Sequence, residues 1–229
     1  MENHQRIDLH THSIFSDGVL LPSELLRRAA VAGHQAVAVT DHADASNLEL
    51  IINALLRLVQ EQPSDFGLHL IVGVELTHVG PDSIDRLARH AKALGAEIVV
   101  VHGETIVEPV APGTNRAAVT SSAVDVLAHP GFLTAEEARL AAERGCYIEI
   151  TTRKGHSLTN GHVARQCLEA GASMVVNSDA HEPSDLATLA FAQRVAAGAG
   201  LAPEQVQEAT KDNPQRLLKR VLDRRKHWV

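Results

Sequence analysis

Arg6-Ile7-Asp8-Leu9-His10-Thr11-His12 is the stretch from which the fold is read. As a strand, its period of two places Asp8, His10 and His12 on one face. Two neighbouring imidazoles are a pair of metal ligands, and the carboxylate behind them is a group able to orient the pair. A polar strand facing solvent shows the same pattern. The pair therefore counts only if other segments deliver matching donors to the same place.

Working outward, short runs rich in Val and Ile alternate with segments of helical period, the pattern of a parallel α/β fold. Seven strands are expected near residues 7–10, 36–40, 70–74, 96–101, 124–128, 147–150 and 173–177. Pro22-Ser23-Glu24 opens a helix that Gly33 ends, and Thr134-Ala135-Glu136-Glu137 reads as a capping box. Asn213-Pro214 reads as a cap followed by proline at the first helical position, and residues 48–62 carry an apolar stripe at helical spacing. The expected architecture is a single domain over residues 1–229, an α/β distorted seven-stranded TIM-like barrel. A doubly wound open sheet is the alternative.

The strand ends carry the chemistry. The first runs into His10 and His12, the second into His42, the third into Glu75, the fourth into His102, the fifth into His129, and the seventh into Asp179 and His181. Only 14 of 229 residues are histidine, so five of seven strands ending on one is not the work of chance. In a barrel the C-terminal strand ends share one rim, where active sites are built. With Asp17 the candidates are His10, His12, Asp17, His42, Glu75, His102, His129, Asp179 and His181, more than one tetrahedral ion can use, so two or three ions are expected. Burying so many ionisable groups without cations is costly. Imidazole and carboxylate donors without thiolate suit zinc, manganese or iron.

His4, His34, His69, His78, His90, His162 and His227 fall in helices, at turns or before strands and read as surface or packing residues. The loop Arg153-Lys154-Gly155-His156 follows the sixth strand and so shares the rim. There Arg153 can fork a phosphate, while Lys154 or His156 adds a donor or a proton. The segment 103–121 overhangs the same rim without an assignable role.

Composition narrows the setting. No apolar run follows Met1 to Arg6, and none approaches the roughly 20 residues that span a bilayer, so neither signal peptide nor membrane segment is expected. Cys146 and Cys167 are too few for a disulfide framework and fit packing in a reducing cytoplasm. The net charge of −7 argues against a polynucleotide partner, and the basic residues Lys219-Arg220 and Arg224-Arg225-Lys226 read as a solvated helix end. A metal cluster reverses that sign locally, which keeps a phosphate substrate open.

Taken together, Asp8-Leu9-His10-Thr11-His12, Thr40-Asp41-His42, Gly73-Val74-Glu75, Val101-His102-Gly103, Ala128-His129-Pro130 and Asn177-Ser178-Asp179-Ala180-His181 resemble the polymerase-and-histidinol-phosphatase (PHP) superfamily. The resemblance implies a distorted (β/α)7 barrel with a trinuclear site on its C-terminal rim and a metal-dependent phosphoesterase activity like that of histidinol phosphatases. One ion takes His10, His12, Glu75 and Asp179; a second shares Glu75 and takes His102 and His129; the third takes Asp17, His42 and His181. Glu75, Asp179 and His102 are the catalytic candidates, with Asp8, Asp41 and Glu149 orienting the ligands from behind. Three divalent ions against the carboxylates of Asp17, Glu75 and Asp179 leave the site at about +3, suited to a phosphate monoester dianion on a small metabolite. The nucleophile expected is a hydroxide made from metal-bound water. The loops that clasp histidinol are not recognisable, so reaction class transfers better than substrate. A phosphodiesterase or nucleotidase on the same cluster and a non-catalytic metal-binding barrel are the alternatives. Zinc amidohydrolases also begin with His-x-His but usually bridge their metals with a lysine, and no strand here ends on one.

Overall fold

Among residues 6–61 and 67–225, which a computed structural model describes, are eight strands and nine α-helices, alternating through most of the order. His4, Gln62, Lys226 and His227 lie outside the described residues. The strands are β1 (Arg6–Thr11), β2 (His34–Val39), β3 (His42–Ala43), β4 (His69–Leu76), β5 (Ile98–His102), β6 (Val126–Ala128), β7 (Tyr147–Thr151) and β8 (Met174–Asn177). All pairs are parallel, in the order β1-β2-β4-β5-β6-β7-β8, and β3 continues the path of β2 along β4. The seven expected strands are therefore the seven staves, the second broken at Thr40-Asp41.

The first and last staves meet at the rim. Thr11 bridges Ala180, the His12 N–H donates to the Ala180 carbonyl at 2.8 Å, and the Asp179 N–H donates to the His10 carbonyl at 2.9 Å. The result is a nearly closed barrel and not the open sheet that was its alternative.

Two apolar layers follow from the strand period. Val37, Val39, Val72, Val74, Val99 and Val101 face the helices, while Ile7, Leu9, Ala36, Ala38, Ile71, Ile98, Val100, Val126 and Val175 fill the inside. The register of β1 slips against β2 between Asp8 and Thr11, where three steps on β1 match two on β2. This bulge changes the alternation, so Leu9 joins the inner apolar cluster while His10 also reaches the barrel interior, and Asp8 leaves the face it was expected to share with them.

α1 (Pro22–Val31), α2 (Leu48–Glu61), α3 (Pro81–Leu94), α4 (Thr114–Thr120), α5 (Ala135–Arg144), α6 (Asn160–Ala170) and α7 (Leu189–Gly198) pack outside. α1 is capped by Ala32 one residue earlier than expected, with Gly33 following at φ 86°, and α5 carries the expected capping box on Thr134 and Glu137. α8 (Pro203–Gln207) runs through a π-turn into α9 (Asn213–Arg225), so Asn213 is not a free cap; its amide donates to the Met174 carbonyl. α9 sends Leu217, Leu218 and Val221 into the inner cluster, and its Arg220 meets Asp125 just before β6. It thereby plugs the N-terminal mouth and leaves the opposite rim for chemistry. Among the described residues no helix is long and apolar enough to cross a membrane.

Candidate metal centre

The strands deliver donors to one rim in turn: His10 and His12 around the end of β1, His42 on β3, Glu75 near the end of β4, His102 at the end of β5, His129 after β6, Asp179 and His181 after β8. Asp17 comes from the turn beyond β1, where Gly18 passes so close that a Cβ would lie 2.5 Å from the His12 carbonyl oxygen. His129 and Asp179 adopt left-handed backbone, φ 25° and 52°. Such strain costs on the order of 1–3 kcal/mol per residue and persists where the surroundings over-determine it. Here it aims a ligand back over the barrel mouth.

Glu75 and Asp179 sit at the middle. Glu75 lies 3.3 Å from His10 Nε2, 3.9 Å from His12 Nε2, 2.6 Å from His42 Nδ1 and 3.7 Å from His129 Nε2. Asp179 lies 3.1 Å from His12 Nε2, 3.5 Å from His181 Nδ1 and 3.6 Å from His129 Nε2. Asp17 reaches His42 Nε2 at 3.3 Å and His181 Nε2 at 3.2 Å. Converging donor sets form around His12, Asp17, His42 and His181, around His10, His12 and Asp179, and around His102, His129 and His156. His102 stands apart from Glu75: its Nε2 turns to Glu108 at 3.0 Å, while its ring packs edge-on to His129.

The three carboxylates placed behind the ligands act differently. Glu149 touches an imidazole, His10 Nδ1 at 2.8 Å, and is steadied by the Asn177 amide at 2.9 Å. Asp8 instead accepts from the backbone N–H groups of His10 and Ser178 and pairs with the buried Arg6, fixing the two strands at the seam. Asp41 accepts from Ser13 N–H, Ser13 hydroxyl and Ser16 hydroxyl, which pins the turn that carries Asp17.

The 153–156 loop is split. His156 is buried in the site, bonded to the Thr105 hydroxyl at 2.7 Å and stacked on His129 at 4.2 Å between ring centres. Arg153 is held by Asp185 at 2.8 Å, and Lys154 is exposed. The unassigned 103–121 segment proves structured: Glu104 and Asn115 clip its ends together, α4 fills its second half, and it carries Thr105 and Glu108 over the mouth. Glu108 was not foreseen, for it follows the strand end by six residues in a loop without periodicity. His78, expected to be an ordinary surface residue, lies 3.3 Å from Glu108 and 5.1 Å from the His102 ring.

The protonation pattern explains what the cluster lacks. Burial opposes charge on His10, but Glu149, Glu75 and Asp179 outweigh it and raise its pKa well above the usual imidazole value. Burial and the neighbouring His42 and His10 hold His12 far below that value, and burial with His102 does the same to His129. Burial pushes Asp179 up to about 7, with Glu75 and Glu149 adding repulsion. Among the described residues, five of the ten buried side-chain nitrogens and oxygens without a hydrogen-bond partner belong to candidate ligands: His10 Nε2, His12 Nδ1 and Nε2, Glu75 Oε1 and His129 Nδ1. Leaving such atoms bare costs about 1–3 kcal/mol each, and the neutral rings of His12 and His129 beside Glu75 and Asp179 are a donor set that divalent cations complete. The residues fit metal ions.

Comparison with known proteins bears on the family and the fold. The chain is 48% identical over 217 residues to the uncharacterized protein MJ1295 of Methanocaldococcus jannaschii, covering 94% of this chain and 100% of that one. A probable phosphatase of Acetivibrio thermocellus is 28% identical over 193 residues, 76% of this chain and 79% of the other. The PHP domain family model matches residues 8–105, the segment that holds His10, His12, Asp17, His42, Glu75 and His102. The chain belongs to the PHP family. The PHP barrel shares its fold with histidinol phosphate phosphatase from Lactococcus lactis, crystallised with zinc, L-histidinol and phosphate, at a TM-score of 0.61 and 15% identity over 86% of this chain and 95% of that one. His129, Asp179 and His181 lie beyond the matched segment, and the barrel carries them to the same rim as the other six donors.

Proposed function

We propose that this PHP barrel hydrolyses a small phosphate monoester at a centre of three divalent ions, zinc, manganese or iron. One position is drawn from His10, His12, Glu75 and Asp179, a second from Glu75, His102 and His129, and a third from Asp17, His42 and His181. What supports this is the convergence of nine nitrogen and oxygen donors, five of their atoms buried without partners, on one barrel mouth. Bound divalent ions supply a water of lowered pKa as nucleophile and positive charge for the phosphoryl oxygens.

The chain's own residues do the rest. Glu149 fixes the ring of His10, and Asp41 fixes the turn bearing Asp17. Asp17 is more than half exposed, so the His42–His181 side is where substrate enters. His156, oriented by Thr105, and the guanidinium of Arg153 form the phosphate-binding side with Lys154, Arg153 exchanging Asp185 for a phosphoryl oxygen. His156 is also the proton donor to the departing alkoxide, since its Nε2 faces the mouth towards Glu108. Attack is in line and leaves no covalent protein intermediate. The free buried thiols of Cys146 and Cys167 accord with the reducing cytoplasm as its compartment.

The test is a phosphate-release screen over small metabolites, run beside diester substrates. Turnover of monoesters is expected, lost with a chelator and restored by zinc, manganese or iron, and abolished in His102→Ala. Absence of turnover under all three metals removes the proposal, and faster diester cleavage reassigns the reaction.

A further inference from the structure

Glu108 stands in the loop after β5, outside the segment matched by the family model and outside the nine donors considered so far. Its two oxygens face three imidazoles: Oε2 lies 3.0 Å from His102 Nε2 and 3.3 Å from His78 Nε2, and Oε1 lies 3.4 Å from His156 Nε2. Bonds of about 2.0–2.2 Å to a tetrahedral ion set neighbouring donor atoms about 3.3 Å apart, so the spacings to His102 and His78 suit ligands of one cation as well as hydrogen bonds. His78, His102 and Glu108 form a converging donor set, and His102, His129 and His156 form the adjacent one.

Backbone strain marks the same place. Among the described residues three non-glycine positions have positive φ, and two of them, His129 and Asp179, are candidate ligands. The third is His78, at φ 52°. The loop that carries Glu108 is tied down at both ends: Glu104 Oε1 accepts from the N–H groups of Gly113 and Asn115, and the Asn115 amide donates to the Pro130 carbonyl. A surface ion pair needs neither the strained histidine nor the clipped loop.

We infer that Glu108 is a tenth protein ligand of the centre, binding the ion carried by His102 from the solvent side. The inference rests on the metal-centre reading above. It accounts for the way His102 turns from Glu75 to Glu108, because a second carboxylate is then available on the open side of that ion. Glu108 is about two-fifths exposed while His102 is almost fully buried, so the carboxylate reaches this ion from its open side.

Protein stripped with a chelator is titrated with zinc against a chromophoric competitor, for the wild type, Glu108→Ala and Glu108→Gln. Glutamine keeps the shape and the hydrogen-bonding oxygen but not the charge. Both variants are expected to hold one zinc equivalent about tenfold or more weakly than the wild type, the others being retained. Wild-type affinity in both variants, or in Glu108→Gln alone, overturns the inference, since the second result reduces Glu108 to a hydrogen-bonding role. A wild type that takes up no zinc overturns the metal centre itself.

Discussion

His10 shows what a single residue must do in this molecule. One ring nitrogen is engaged by Glu149 at 2.8 Å, and the other is aimed, without a hydrogen bond, at Glu75 and Asp179. The first contact sets which nitrogen is available to a cation. Glu149→Gln preserves volume but removes the charge that makes His10 a strong donor. It is expected to lower metal affinity about 10- to 100-fold while leaving the circular dichroism spectrum unchanged, measured by competition with a chelator. Eight of the nine proposed donors stand out in the sequence because each sits within a few residues of a β-run that periodicity identifies; Asp17, six residues beyond β1, does not. The role of Asp8 is not legible there: the extra residue between Asp8 and Thr11 on β1 is a matter of register against β2, which the isolated strand does not encode. Glu108 was hidden for a related reason, since its partners His78, His102 and His156 come from three separate loops and strand ends.

At the scale of elements, the loop between β5 and α4 behaves as a rigid bracket. Asn115 accepts from Glu104 N–H at 2.9 Å in half-buried surroundings and donates to the buried Pro130 carbonyl at 2.8 Å. Gly131, at φ 64°, lets the next loop come so close that any Cβ would strike the Glu104 carbonyl. Asn115→Ala strands a buried carbonyl and an N–H, so a loss of about 2 kcal/mol is expected in urea unfolding. The helix α9 gives a second prediction. Leu218 is buried in the inner cluster, and Leu218→Ala should cost about 2–5 kcal/mol by opening a cavity against β1 and β8. The helical period of this segment could be read in advance, but not its place. An amphipathic stripe shows that a helix has a partner without showing whether that partner is the outside of a sheet or the open end of a barrel.

For the molecule as a whole, the rim is a concentration of ionisable groups that the apolar barrel cannot solvate. Cations that bind only the folded form add their binding free energy to its stability. Removal of metal is therefore expected to lower the midpoint of thermal unfolding, followed by scanning calorimetry with and without a chelator. The sign of its pH dependence follows from the donors. Imidazoles bind metal only when neutral, and against the effect of burial nearby carboxylates hold His10 and His42 protonated above the usual imidazole range, so protons compete from above neutral pH and the stabilisation should shrink steadily as pH falls. A shift independent of pH between 5 and 8 would argue against histidine ligation. Alternating β- and α-periods made a parallel α/β fold foreseeable, but they suit an open sheet as well, and the choice between the two lies in the contacts of β1 with β8.

The seam between β1 and β8 has a consequence for the order of assembly. His12 and Asp179 stand 3.1 Å apart yet are separated by most of the polypeptide, and Leu9 is bound to Asn177 across the same gap. A ribosome therefore releases the histidine pair long before Asp179 exists, and the position they share must wait for the final stave. Two fragments divided at the exposed Gly145, between α5 and β7, should each remain inactive alone and recover the pocket only when mixed.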